Sequence, residues 1–223
     1  MVEIIGHRGA AGYAPENTLL SFQTAIDLGC DVAELDVRMS QDGIAVVIHD
    51  ETVSRVTDGM GFVSHKTLLE LQALHCAEGQ KIPTLLEVIR ICKGKIRLQI
   101  ELKEEGTPRS VEKIVSDNQM ENDVSITSFD LTLLQEITSL NSLLSVGLLF
   151  HTYSEEVWEC AETVPLTFIG LRYTSLTKEI VATAHKKNLL VYAYHVKSKE
   201  SGNEMLSLGV DKIGTAFPKL FIK

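Results

Sequence analysis

The chain reads as an α/β protein, a (β/α)8 barrel, for three reasons. Short β-branched or apolar runs alternate with helical spacings from one end to the other, the pattern of parallel β-α units. With one hairpin return strand set aside, eight strand signals can be placed, near residues 3, 32, 96, 124, 144, 167, 189 and 211. The side chains with chemistry in them, His7, Arg8, Glu34, Asp36, Glu101 and Lys103, fall on or at the ends of those strands. In such a barrel the C-terminal rim of the strands carries the active site. At about 28 residues per unit the barrel is lean. No glycine fingerprint of a dinucleotide fold is present, which leaves a doubly wound open sheet as the second choice.

The first unit spans residues 3–38. Val2 to Ile5 is a β-branched run that stops at Gly6-His7-Arg8-Gly9, so a buried strand ends in polar residues between glycines. Asn17 or Thr18 can cap a helix whose apolar residues Leu19, Phe22, Ala25 and Ile26 share a face, and Gly29 ends it. The second strand interleaves Val32, Glu34, Leu35, Asp36 and Val37. Glu34 and Asp36 are two apart and so point the same way. Two acids on a buried face are costly unless a cation joins them; an exposed edge strand is the alternative, at odds with the apolar neighbours. Ser40-Gln41-Asp42-Gly43 is a turn, and residues 44–48 return as a hairpin strand, since the link is too short for a parallel crossover. Folding about residues 41–43 sets His49 opposite Leu35, beside both acids.

Residues 51–63 are polar and turn-rich. Helices are expected from Ser64 through Leu74 and from Thr84 to about Ile91, behind Pro83. The remainder repeats one rhythm: strands at 96–102, 124–129, 143–150, 167–173, 189–196 and 212–215, with helices at 108–117, 130–139, 154–162, 177–187 and 198–208. Asn188 and Gly209 are suited to left-handed helix ends. No linker, composition shift or short-period repeat interrupts this, so residues 1–223 are expected to form one domain.

Composition narrows the function. Hydrophobic residues are 44% of 223, enough for a full core. The formal net charge of −9 argues against nucleic acid as a partner, yet leaves room for a small anionic substrate where cations gather locally. Four cysteines lie far apart in sequence with no CxxC spacing and read as free thiols in a reducing compartment. No signal peptide pattern and no apolar run of membrane-spanning length is visible. The cytoplasm and the absence of stable membrane insertion are the expectations.

Three carboxylates from two strands, Glu34, Asp36 and Glu101, suit a hard divalent cation, Mg2+ or Ca2+. His7 and His49 flank them from different segments and can act as base and acid in one reaction. Arg8 and Lys103 can hold an anion that the cation also touches. A surface pair Glu101–Lys103 and incidental histidines are the plain alternative, which needs six polar strand residues to be accidental. His65, His75, His151 and His185 read as structural or surface residues, and His195 has no assignment.

At these residues the sequence resembles the glycerophosphodiester phosphodiesterase family. The stretches are HRGAAGYAPENTLLSF (7–22), ELDVRMSQDGIAVVIHDETVSRVTDG (34–59), IPTLLEV (82–88) and IELK (100–103). The resemblance implies a TIM barrel that hydrolyses glycerophosphodiesters to sn-glycerol 3-phosphate and an alcohol with a divalent cation. It implies Glu34, Asp36 and Glu101 as metal ligands, His7 and His49 as the acid–base pair, and Arg8 and Lys103 as phosphate ligands. The C-terminal third departs from the family pattern. A Trp-Thr-Val-Asn run is replaced by Tyr194-His195-Val196-Lys197, and Thr-Asp by Thr215-Ala216. Tyr194 is then the expected substrate contact at the glycerol or alcohol end, and Lys197 is expected to bias the site toward anionic head groups. A related phospholipase D or C acting on lysolipids or inositol lipids, and a non-catalytic glycerophosphodiester-binding protein, are the competing functions. The first lacks an apolar docking loop, and the second has no use for both histidines.

Overall fold

The computed structural model describes residues 2–222. Strands β1 (Glu3–Gly6), β2 (Val32–Met39), β4 (Arg97–Leu102), β5 (Val124–Ser128), β6 (Ser145–Phe150), β7 (Phe168–Arg172), β8 (Leu190–Tyr194) and β9 (Lys212–Thr215) pair in parallel. Pairing of β1 with both β9 and β2 closes the ring, so the barrel is the observed fold. The extra strand β3 (Ala45–Val47) lies outside it, antiparallel to β2, with Val37 opposite Val47. That register carries forward to His49 beside Leu35, as the Gln-Asp-Gly turn implied; the Ile48 N–H donates to the Asp36 carbonyl at 3.0 Å. The free side of β3 is covered by a bridge between Val46 and Thr84 and by the Val47 N–H donating to the Pro83 carbonyl.

Helices return the chain between strands: α1 (Leu19–Leu28), α2 (Leu68–Ala73), α3 (Leu85–Cys92), α4 (Thr107–Asp117), α5 (Leu131–Leu140), α6 (Glu156–Thr163), α7 (Lys178–Lys186) and α8 (Lys199–Leu208). Their starts follow local chemistry. Thr18 caps α1, and Thr84 and Glu87 form a capping box on α3. The helix expected from Ser64 is a 3-10 turn at Val63–His65 followed by α2, because Thr67 and Glu70 form a second capping box and fix the start there. Residues 51–82 close over a small core of Val46, Ile48, Val53, Val63, Leu71 and Ile82. No helix among the described residues is long and apolar enough to cross a membrane.

Period-two alternation sorts the ring. Ile5, Val32, Leu149, Phe168, Tyr192 and Tyr194 meet inside the barrel as one buried cluster, while Leu35, Val37, Leu98, Ile100, Ile126 and Val146 face the helices. Below, Glu3 bridges Arg97 at 2.6 Å and Lys212 at 2.7 Å and ties the N-terminal mouth together. Two or four residues further along each strand, the inward positions reach the upper rim.

Candidate active site

The upper rim opens into a cleft of about 350 Å3 lined by His7, Arg8, Glu34, His49, Glu101, Lys103 and Tyr194, among others. Seven of the eight residues expected from the sequence therefore line one cavity. The eighth, Asp36, lies beneath, 1% exposed.

The turn after β1 sets the first wall. Arg8 and Gly9 both take positive φ, 51° and 85°, which turns consecutive N–H groups toward β2. The Arg8 N–H donates to Glu34 Oε2 at 2.8 Å and the Gly9 N–H to the Glu34 carbonyl at 2.9 Å. A β-carbon on Gly9 would lie 2.5 Å from Ser21 Oγ, so only glycine fits against α1 there. Glu34, Asp36 and Glu101 each offer a carboxylate oxygen, and these lie within 4.8 Å of one another. The Asn17 amide donates to Asp36 Oδ2 at 2.8 Å. Arg8 Nε stands 3.3 Å from Asp36, and Lys103 Nζ 2.5 Å from Glu101 and 3.6 Å from Asp36.

Electrostatics separates the three acids. Burial, then the neighbouring carboxylates, push Glu34 well above the usual carboxylate range and Glu101 up to about 7. Burial also opposes ionisation of Asp36, but Arg8 and Lys103 outweigh it and hold that group below its ordinary value. Two of three crowded acids thus resist ionisation side by side. An all-oxygen donor set with surplus negative charge fits a hard divalent cation.

A chain of alternating charges runs from this cluster to the second histidine. Arg8 Nη1 meets Glu16 Oε1 at 2.6 Å, and Arg55 reaches Glu16 through two hydrogen bonds of 2.7 and 2.8 Å. Arg55 Nε donates to Asp50 Oδ2 at 2.5 Å, and Asp50 Oδ1 lies 2.7 Å from His49 Nδ1. Arg38 holds the His49 carbonyl at 2.8 Å from behind. His49 is thereby oriented by a carboxylate at one ring nitrogen, leaving Nε2 free for the cleft. Burial lowers its pKa, opposed by Asp36 and Asp50.

His7 is more deeply enclosed. Burial, then Arg8 and His195, lower it to about 3, so it is held neutral. His195 Nε2 lies 3.1 Å from His7 Nε2; one ring donates and the other accepts, so the tautomers of the two rings are tied to each other. Sequence reasoning left His195 unassigned, and its φ of 59°, which turns it back into the cleft just past β8, has no signal in the residue type. His151, read as structural or surface, also lines the cleft, with its ring stacked on Phe129 at 4.2 Å. Its signal was present: it continues the inward parity of Gly147 and Leu149. Lys197 is exposed and off the cleft wall. Arg172, the last residue of β7, lines the cleft instead.

The profile of the glycerophosphoryl diester phosphodiesterase family matches residues 7–220. The chain is 34% identical over 232 residues to a glycerophosphodiester phosphodiesterase of Caldanaerobacter subterraneus subsp. tengcongensis, covering 98% of this chain and 96% of that one. Among solved structures, it superimposes with a TM-score of 0.93 and 26% identity on an Oleispira antarctica phosphodiesterase in complex with the product sn-glycerol-3-phosphate, over 97% of this chain and 94% of that one. A glycerophosphodiester phosphodiesterase of Agrobacterium tumefaciens gives a TM-score of 0.88 at 27% identity, over 99% of each chain.

Proposed function

The chain belongs to the glycerophosphoryl diester phosphodiesterase family, and from that premise we propose that it releases sn-glycerol 3-phosphate and an alcohol by paired-histidine catalysis at a divalent-cation site. The observation that carries this reading is the single cleft in which His7, His49, two cationic side chains and an oxygen-only acid cluster meet. The Oleispira relative, which holds sn-glycerol-3-phosphate, supports the product assignment.

Glu34, Asp36 and Glu101 are the residues that would hold the cation, Mg2+ or Ca2+. When bound it supplies Lewis-acid polarisation of a phosphate oxygen and offsets the negative charge of the acids. Arg8 and Lys103, placed against the same acids, bind phosphate and stabilise charge developing on its oxygens.

No Ser or Cys with an activating partner stands out in the cleft, so the attacking group comes from water or from the substrate. The glycerol 2-hydroxyl is already tethered two carbons from the ester oxygen, and that proximity favours it. His7, neutral and without a carboxylate partner, accepts the hydroxyl proton. His49, whose protonated form is steadied by Asp50 at Nδ1, delivers a proton from Nε2 to the departing alcohol. The O2–phosphorus bond forms as the bond to the alcohol breaks, leaving a five-membered cyclic phosphate across glycerol O2 and O3. Water opens that ring with the histidines exchanging roles. Tyr194 contacts the substrate as a ring: its hydroxyl is bound to the Phe150 carbonyl at 2.6 Å.

The test is release of sn-glycerol 3-phosphate from a small panel of glycerophosphodiesters, with and without exhaustive chelation, alongside the analogue lacking the 2-hydroxyl. Activity is expected to vanish with EDTA, to return with Mg2+ or Ca2+, and to be absent for the deoxy analogue although that compound binds. Full activity in the chelated protein rejects the cation assignment. Hydrolysis of the deoxy compound at close to the natural rate replaces the intramolecular attack with attack by water.

A further inference from the structure

Parallel register brings one half of the rim together from the ends of four consecutive strands. Phe129 follows β5, His151 follows β6, Arg172 ends β7 and Tyr194 ends β8, with Arg172 directly opposite Tyr194. All four line the cleft, across from the acid cluster of β2 and β4. This half is mostly aromatic. Phe129 stacks on His151 and meets Tyr194 edge-on at 6.1 Å. The Tyr194 hydroxyl is already used by the Phe150 carbonyl, so that ring adds surface and no free donor.

Arg172 is the exception in charge. The two other permanent cations of the cleft are matched by acids, Arg8 by Glu16 and Asp36, and Lys103 by Glu101 and Asp36. Among the described residues Arg172 has neither a salt bridge nor a side-chain hydrogen bond within range. No carboxylate lines the cleft on its side; Glu34 and Glu101 stand on the opposite one. Aromatic rings alone would welcome a quaternary ammonium, but an unmatched guanidinium beside them repels it. A planar, fork-shaped donor with no internal partner is suited to a carboxylate or phosphate brought in by a ligand.

We propose that Arg172, on the wall of Phe129, His151 and Tyr194, is a specificity-determining residue that selects diesters whose leaving alcohol carries its own anionic group and disfavours choline. This rests on the hydrolytic reading above and names the substrate class of that site. The attraction and the repulsion act in opposite directions on two substrates, so even screened interactions at a cleft mouth separate them by about tenfold.

The experiment measures kcat/KM for four glycerophosphodiesters whose leaving alcohols are choline, glycerol, glycerate and glycerol phosphate. The last two distinguish a carboxylate from a phosphate as the favoured anion. Wild type is expected to prefer at least one anionic diester over choline by about tenfold or more, with the neutral glycerol diester between. Arg172→Gln is expected to bring the anion-to-choline ratio to within about twofold, and Arg172→Lys to keep its direction. Because the readout is a ratio within one preparation, a partly folded variant does not blur it. A wild-type preference for choline, or a ratio untouched by Arg172→Gln, overturns the proposal while leaving the hydrolytic reading standing. If wild type cleaves none of the four, that reading fails and this one with it.

Discussion

The two halves of the barrel fill their interior in opposite ways. From β1 to β4 the inward positions carry Ile5 and Val32 low in the barrel and, above them, His7, Glu34, Asp36, Gln99, Glu101 and Lys103, nearly all charged or titratable. From β5 to β9 they carry Leu149, Phe168, Tyr192 and Tyr194, with Gly147, Gly170 and Gly214 between them and His151 and Arg172 only at the rim. The second half is a packing solution. A β-carbon on Gly147 would sit 2.2 Å from the Phe168 ring and one on Gly214 2.2 Å from the Tyr192 hydroxyl, so bare backbone on one strand receives a large ring from the next. The first half trades that efficiency for chemistry: buried acids are tolerated because Arg8, Lys103 and Asn17 reach them. One wall of the barrel is specialised for reactivity and the other for cohesion.

Substitutions can separate these roles. The largest effect is expected at the histidines. His7→Ala and His49→Ala should each lower kcat by at least about 100-fold, roughly 2.7 kcal/mol of barrier, with cation binding followed by calorimetry retained. A loss of cation affinity that accounted for the whole effect would place the histidines in the binding site rather than in the chemistry. In the cohesive half, Gly147→Ala is expected to destabilise by about 1–3 kcal/mol through overpacking against Phe168, read as a drop in Tm, with kcat per folded molecule little changed. A large loss of kcat with Tm intact would dissolve the division between the halves.

Next is the charge chain. Arg55→Met removes the cation between Glu16 and Asp50, and should cost about tenfold in kcat, about 1.4 kcal/mol, as His49 loses its orientation. The smallest effect concerns pH. In the cation-free protein Glu101 is raised to about 7 from an ordinary 4.5. A carboxyl raised by folding favours the folded chain when protonated, and that contribution fades as pH climbs through about 7. A bound cation takes the place of the proton. The Tm increase on adding Mg2+ or Ca2+ should therefore be several degrees greater near pH 8 than near pH 5.5; equal shifts at both would show that Glu101 is not a ligand.

The reactive half was the more legible in the sequence, because its signals are local. Glu34 and Asp36 share a face by parity, and the turn at residues 40–43 fixes where His49 returns. Thr67-Leu68-Leu69-Glu70 was equally plain as a capping box, yet the polar run before it invited an earlier helix start. What escaped depends on distance in sequence. The contact between His195 and His7 joins residues 188 apart through a left-handed residue that is not glycine. The Arg55–Glu16 pair links two loops that no periodicity connects. Lys197 drew notice as a cation in place of the family's amide, yet it lies three residues beyond β8 and off the cleft wall, whereas Arg172 at the end of β7 lines it.

The covered outer side of β3 has a consequence beyond the site. A ring of parallel strands has no free border, and an added hairpin strand creates one. Here Pro83, which has no N–H to offer, and Thr84 occupy that border. The outer side of β3 is therefore already taken and offers a neighbouring molecule little ladder on which to grow a strand. Its hazard lies in partly unfolded molecules, in which residues 83–84 have peeled away and Ile44-Ala45-Val46-Val47-Ile48, an uncharged β-prone run, is bared to other copies.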